Sequence, residues 1–363
     1  MSTIIITGFP GFLGSALLER LIPRYLAGDQ FLCLIQAKFR PLAEQRLAEI
    51  VARVPAGAGR ILLVDGDITV PDLGLGERYA SWQQTTSEIY HLAAVYDLGV
   101  GRSLAMRVNV DGTRHMLAFA EGCPGLQRFQ YVSTCFVSGR HPGVFSESDL
   151  SVSQSFNNFY EETKFLAELA VQQKMAAGLP VTIYRPSIVV GNSQSGATQK
   201  YDGPYYYIRW LLVQPPIALM PAGRGAAHIE FNVVPSDYVV DSLVYLSGLP
   251  KALGQVYHLS DPEPMTMMAM GKLLGQLTGR HPVWVPIPVA VTKGVLRATR
   301  LYRWLHVEPE SVNYVRHPTR YSCDNTLRDL AGSGITCPPF ASYAPHMVEF
   351  VRSHPEITAA AMV

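Results

Sequence analysis

Residues 3–14 read TIIITGFPGFLG. A short β-branched run meets three glycines, at positions 8, 11 and 14, and a helical pattern starts at Ser15. A glycine triplet is a weak signal alone. Between a strand and a helix it predicts a turn that cradles a pyrophosphate. Gly8 permits the tight turn, and Gly14 lets the helix pack closely on the strand. The helix start then offers unpaired N–H groups and the positive end of its dipole. Gly8, Phe9, Gly11, Phe12, Leu13 and Gly14 are therefore candidate cofactor contacts.

The same alternation continues along the chain. Strand-like runs at 3–7, 31–36, 61–65, 88–92, 128–133 and 181–185 are separated by helix-like stretches near 12–25, 41–53, 102–121 and 158–177. That order predicts βαβ units and an α/β fold with a Rossmann-type doubly wound parallel sheet. After about residue 192 the texture changes. Segment 193–228 is rich in Gly, Pro, Ser and Tyr, a β-like run returns at 229–234 with a helix at 236–248, and VYHLS follows at 256–260. The expected division is a dinucleotide-binding unit of 1–192 and 229–261, with a smaller, mostly helical substrate-binding region of 193–228 and 262–363. No stretch reads as a flexible tether.

The second strand ends in Leu34-Ile35-Gln36-Ala37-Lys38-Phe39-Arg40, without the acidic residue that would bind a ribose 2′-hydroxyl. Lys38 and Arg40 suit a 2′-phosphate instead, so NADPH is expected, with NADH as the alternative. In Asp65-Gly66-Asp67-Ile68, Asp67 is placed to accept from an adenine amino group and Ile68 to pack on the ring.

Tyr160 and Lys164 stand at i,i+4 on one face of a helix pattern. A phenol with a pKa near ~10 is a poor proton donor–acceptor at neutral pH, and a nearby ammonium would lower it. The fifth strand ends in Ser133-Thr134, whose hydroxyls can orient a substrate oxygen toward Tyr160. Together these residues resemble an extended short-chain dehydrogenase/reductase. The matching segments are TGFPGFLG (7–14), DGDI (65–68), HLAA (91–94), VNVDGT (108–113), YVST (131–134), YEETK (160–164) and RPSIVVG (185–191). The resemblance implies Thr134, Tyr160 and Lys164 as catalytic residues and Asn109 as the match to an asparagine used in a water relay. It implies that Pro186 and Ser187 lie against the nicotinamide, with Ala93, Ala94, Gln36, Lys38, Asp67 and Ile68 also toward the cofactor.

Within that superfamily the chain is most similar to the male-sterility and thioester-reductase-like branch, whose members reduce fatty acyl-CoA or carrier-bound thioesters with NADPH. That branch often carries arginine where this chain has Gln36, so Lys38 would have to substitute. The resemblance implies an acyl-CoA or acyl-carrier-type thioester as substrate. Tyr96, Cys135, Phe136 and Tyr205 are the candidate substrate contacts.

Other classes fit less well. Thirty basic and 29 acidic residues give a net charge of +1, which excludes a global basic field for nucleic acid. Charged residues are 16% of the chain, a low share that favours a greasy pocket or a partner surface. No apolar run approaches the ~20 residues of a membrane span, and no signal-peptide pattern opens the chain. Five cysteines without a CxxC pair fit a reducing compartment, so a cytoplasmic location is expected. No metal spacing occurs among the ten histidines, and no Gly-x-Ser-x-Gly elbow is present. On a helical wheel, 289–305 puts Lys293, Arg297 and Arg300 on one face. It reads as a surface helix, or as a lid that meets CoA phosphates, an acidic carrier or a membrane surface. A homodimer is compatible with the sequence. The competing functions are a simple aldehyde or ketone reductase, a nucleotide-sugar epimerase or dehydratase of the same fold, and a silent NADP-binding regulator. The intact Tyr–Lys pair argues against the last.

Overall fold

The structure is a computed structural model that describes residues 2–222, 227–287, 314 and 317–358. The segment 289–305, with Lys293, Arg297 and Arg300, lies outside the described residues.

Five buried residues form β1 (Thr3–Thr7). Its side chains alternate between two apolar layers: Ile4 and Ile6 face one, Ile5 the other. A strand covered on both faces must be central, and β1 pairs in parallel with β2 (Gln30–Ile35) on one side and β4 (Thr86–His91) on the other. The sheet is completed by β3 (Ile61–Asp65), β5 (Arg128–Val132), β7 (Val181–Pro186) and β11 (Val256–Leu259), in the order β11-β7-β5-β4-β1-β2-β3. A short strand outside it, β6 (Gly143–Phe145), pairs with β13 (Thr319–Tyr321). The chain reverses its direction of winding between β1 and β4, and ligands of such sheets bind in the crevice at that point.

The layer on the Ile4 face includes α1 (Phe12–Leu21), α2 (Arg40–Arg53) and α8 (Ser236–Ser247), packed through Leu17, Leu18, Ile50 and Tyr238. The opposite layer is built on α5 (Gly112–Glu121) and α6 (Phe159–Ala176) through Met116, Leu117, Phe119 and Val171. A short α3 (Arg78–Thr85) leads into β4 and adds Tyr79 and Trp82 to that layer. The run read as one helix over 102–121 begins as α4 (Arg102–Ala105) and is interrupted by a π-helical stretch, Met106–Asp111, that carries Asn109.

A third apolar cluster lies apart from the sheet. It joins α7 (Pro204–Leu212), α9 (Met267–Thr278) and the C-terminal helix Phe340–Ser353 through Tyr205, Ile208, Met270 and Met347. The β-like run expected at 229–234 narrows to β10 (Val233–Pro235), paired with β8 (Ile188–Val190). Upstream, the Asn232 side chain bonds the Asp261 backbone through both its oxygen and its nitrogen, while its carbonyl accepts from the Ile188 N–H. Two parallel strands not foreseen in the sequence, β9 (Ile217–Ala222) and β12 (His281–Pro286), pair beside this cluster.

Candidate active site

A cleft of about 790 Å³ opens at the carboxyl ends of the sheet strands, where the winding reverses. The glycine turn forms one wall. Gly8 takes a left-handed φ of 88°, and a Cβ at Gly14 would stand 2.5 Å from the Gly8 carbonyl oxygen. No larger residue fits there, so the turn stays flat and α1 starts directly beneath the cleft. Apart from Arg40, every residue expected at the cofactor lines this cleft: Gly8, Phe9, Gly11, Phe12, Leu13, Gly14, Gln36, Lys38, Asp67, Ile68, Ala93, Ala94, Lys164, Pro186 and Ser187.

Two buried polar atoms in this lining have no protein partner. Ser187 is 5% exposed, and its Oγ makes no hydrogen bond. Arg46 Nε is likewise buried and unpaired, although Gln199, with its amide oxygen turned inward, accepts from Arg46 Nη1 and Nη2 at 3.2 and 3.1 Å. Buried donors rarely go unpaired, so both atoms point to a polar ligand in the cleft. These orphans and the flat glycine cradle fit a dinucleotide.

Asn158 caps α6 by accepting from the Glu161 N–H at 3.0 Å, and so sets where the helix begins. Tyr160 and Lys164 then project from its first turns into the cleft, where Thr134 from the end of β5 meets them. The Tyr160 hydroxyl faces the Thr134 side chain. Burial raises the phenol above its ordinary pKa, Thr134 works against that, and the Glu161 and Asp202 carboxylates reinforce it. The expected lowering by Lys164 does not occur. The Lys164 Nζ instead donates to the Tyr131 hydroxyl at 3.0 Å and the Val132 carbonyl at 2.8 Å. Burial pushes its pKa down to about 7, against the pull of Glu168.

Behind Thr134 stands a fully buried ion pair, Arg185 with Glu168 at 2.6 Å. Glu168 also accepts from the Ser133 hydroxyl, and Arg185 donates to His258 Nε2 at 2.9 Å. An arginine only donates, so His258 Nε2 accepts and its Nδ1–H reaches the Ser322 carbonyl at 2.7 Å. His258 is thus neutral, and burial lowers its pKa.

Four expected contacts need correction. Asn109 lies behind the cleft: its Oδ1 accepts from the Val95 N–H at 2.8 Å, and its Nδ2 donates to Thr163 Oγ1 at 3.0 Å. It pins the loop after β4 to α6 and has no amide donor to spare for a water relay. Cys135 is fully buried, its thiol donating to the Arg185 carbonyl at 3.0 Å, because a 3₁₀ turn starts there and rotates it away from Thr134. Tyr205 is buried in the third cluster, its hydroxyl accepting from the Gly191 N–H at 2.9 Å. Arg40, expected near a 2′-phosphate, is bound to Asp65 at 2.8 Å. Tyr96 and Phe136 do line the cleft.

The sequence reading missed Arg46, Lys200 and Asp202, all in the cleft wall. Arg46 falls one helical turn after Leu42, where an apolar residue would continue the stripe. Lys200 and Asp202 are the two charges between Arg185 and Arg209.

Residues 6–243 match the male sterility protein family. The chain belongs to that family. It is an extended short-chain dehydrogenase/reductase, a class of NAD(P)-dependent oxidoreductases. The terminal R domain from the myxalamid PKS-NRPS biosynthetic pathway is similar over 99% of this chain and 92% of that one, with 26% identity and a TM-score of 0.82. The non-canonical nonribosomal peptide synthetase FrzA of Cladobotryum sp is 26% identical over 84% of this chain, which spans 31% of that protein. The aldehyde reductase lnaA of Aspergillus flavus is 28% identical over 71% of this chain, which spans 26% of it. Among the described residues no helix is long and apolar enough to cross a membrane, and no group of three or more His, Cys, Asp or Glu could hold a metal ion.

Proposed function

We propose that this protein reduces an apolar acyl thioester, carried on CoA or a carrier protein, to the aldehyde or alcohol with NADPH. The observation that carries the reading is the convergence of Thr134, Tyr160 and Lys164 in one cleft with a glycine cradle. The likeness to a terminal R domain and to a peptide synthetase supports a thioester over a free ketone.

Bound reduced nicotinamide supplies the hydride. Phe9, Phe12, Leu13, Ala93, Ala94, Ile68 and Asp67 wall its nucleotide, and the orphaned Ser187 hydroxyl beside Pro186 offers a hydrogen bond at the nicotinamide end. Arg46, Lys38 and Gln36 gather at the end of β2, where a 2′-phosphate would lie. This group favours NADPH over NADH. Thr134 holds the substrate oxygen toward Tyr160, and Tyr160, kept protonated by burial, gives its proton as negative charge develops there. Lys164 holds a ribose hydroxyl. Phe136 and Tyr96 flank the acyl carbon. In this reading 1–192 with 229–261 carries the cofactor and 193–228 with 262–363 shapes the acyl site; from the first of these latter segments Thr198, Gln199, Lys200 and Asp202 line the cleft.

The test is oxidation of NADPH by the purified protein with a long-chain acyl-CoA, beside the matching free aldehyde. Thioester turnover that falls at least ~10²-fold in Tyr160→Phe is expected. Turnover of the aldehyde alone would make the protein a carbonyl reductase. Failure with both would return weight to the epimerase reading.

A further inference from the structure

Tyr96 stands edge-on to Tyr160, with ring centroids 5.0 Å apart. Its hydroxyl faces Asp202, a carboxyl group only 6% exposed, whose nearness adds to the burial that raises the Tyr96 phenol's pKa. Lys200 closes the group. Its Nζ donates to the Tyr96 carbonyl at 3.1 Å, lies 4.3 Å from the Tyr96 ring centroid and 3.6 Å from Asp202 Oδ2. From behind, Asn109 holds Val95 by both its N–H and its carbonyl, so Tyr96 is fixed on either side. An ammonium has three donors. Tyr96 takes one and Asp202 draws a second, which leaves a third for a ligand. Of the other cations in the cleft wall, Lys164 is turned into Tyr131 and Val132, Arg46 reaches across to Gln199, Lys38 lies over the Phe39 ring, and Arg107 is exposed at the rim.

Reduction of a thioester differs from that of a ketone in one respect: a thiolate must leave. Tyr160 and Thr134 serve the oxygen. Neither serves the sulfur. Resting on the thioester reading above, we propose that Lys200, held by Tyr96 and Asp202, is the cation that receives the departing thiolate. Once the carbonyl carbon has gained its hydride and Tyr160 has protonated the oxygen, the substrate is a hemithioacetal. Its C–S bond breaks with the electron pair going to sulfur. Its O–H proton returns to the Tyr160 phenolate as the C=O bond forms. The thiolate leaves paired with the Lys200 ammonium and takes its proton from solvent, to which the Lys200 side chain is 22% exposed. A preorganised charge aimed at developing negative charge, in a partly desolvated cleft, is among the strongest contributions a site can make.

The experiment compares two thioesters of one acyl chain, one of an alkyl thiol and one of a far more acidic aryl thiol. Thiol release and NADPH oxidation are followed together. In the natural protein both should turn over at similar rates. In Lys200→Met the alkyl thioester should fall roughly 10–100-fold while the aryl thioester falls much less, because a good leaving group needs no cation. Thiol release should also lag behind NADPH oxidation, and Lys200→Arg should recover most of the loss. Equal losses on both thioesters, or no loss, would overturn the proposal and leave Lys200 as a structural tie. Should the methionine variant fail to bind NADPH, Lys200→Gln serves for the same comparison. A natural protein that turns over neither thioester would instead overturn the thioester reading itself.

Discussion

Lys164 is 3% exposed, and burial holds its pKa at about 7 rather than the ordinary 10.5. Such a lysine costs the fold stability. Below about pH 7 it is protonated both folded and unfolded, and the full cost of burying the charge is present. Between about 7 and 10.5 the unfolded chain still binds a proton that the folded chain has released. Stability therefore rises with pH across that window, by roughly 1.4 kcal/mol per unit. Methionine has a similar length and no charge. Lys164→Met should thus abolish activity yet gain stability at pH 6, an advantage that shrinks steadily as pH rises to 9. The charge relief is a few kcal/mol, roughly 4–5 at its upper bound. It is offset by about 1–3 kcal/mol for the Tyr131 hydroxyl and Val132 carbonyl left without their donor. The sign of the difference at any one pH therefore matters less than its slope. Urea unfolding of both proteins at several pH values between 6 and 9 reads that slope. Parallel stability curves would refute the argument, because they would mean that Lys164 releases no proton on folding in this range.

Two further substitutions test the cleft. Gly14→Ala should lose nicotinamide cofactor binding at least ~10-fold, since its Cβ would stand 2.5 Å from the Gly8 carbonyl oxygen and force the turn open; titration of cofactor fluorescence reads this, and unchanged affinity would sink the cradle assignment. Arg46→Met should weaken NADPH by roughly 10–100-fold, the worth of a hydrogen bond to a charged group, and NADH far less. Equal losses for the two would remove Arg46 from the 2′-phosphate.

Legibility in the sequence tracks how local each feature is. The turn at Gly8–Gly14 joins β1 to α1 without a gap, so its chemistry is written in one contiguous stretch. Tyr160 and Lys164 share a helix face, and helical periodicity alone brings them together. Cys135 shows the opposite case. It follows Thr134 in the chain, but the backbone leaves the extended conformation there, so adjacency in sequence became separation in space. Tyr205 misled for another reason: an aromatic run looks the same whether it lines a channel or fills a core, and the hydrogen bond from Gly191 marks it as core. Arg46, Lys200 and Asp202 come from a helix and a loop more than 150 positions apart in the chain, and no periodicity links them. Their meeting depends on how the loop after β8 crosses the cleft.

That crossing joins the two ends of the site. Gln199 reaches Arg46 at the proposed 2′-phosphate end, and Lys200 next to it touches Tyr96 beside Tyr160, the proposed proton donor. One short stretch thus borders both the nucleotide and the reacting carbon. Burial raises the pKa of Tyr160, and Asp202, two residues on and facing Tyr96, adds to that. A carboxylate in that place favours the protonated phenol, the form a reductase needs before hydride arrives, and disfavours the phenolate that would start the reverse oxidation. Burial raises the pKa of Asp202 itself, and the Lys200 ammonium works against that. On the proposed thioester reading, the pair therefore suits the direction of reduction as well as the departure of a thiolate.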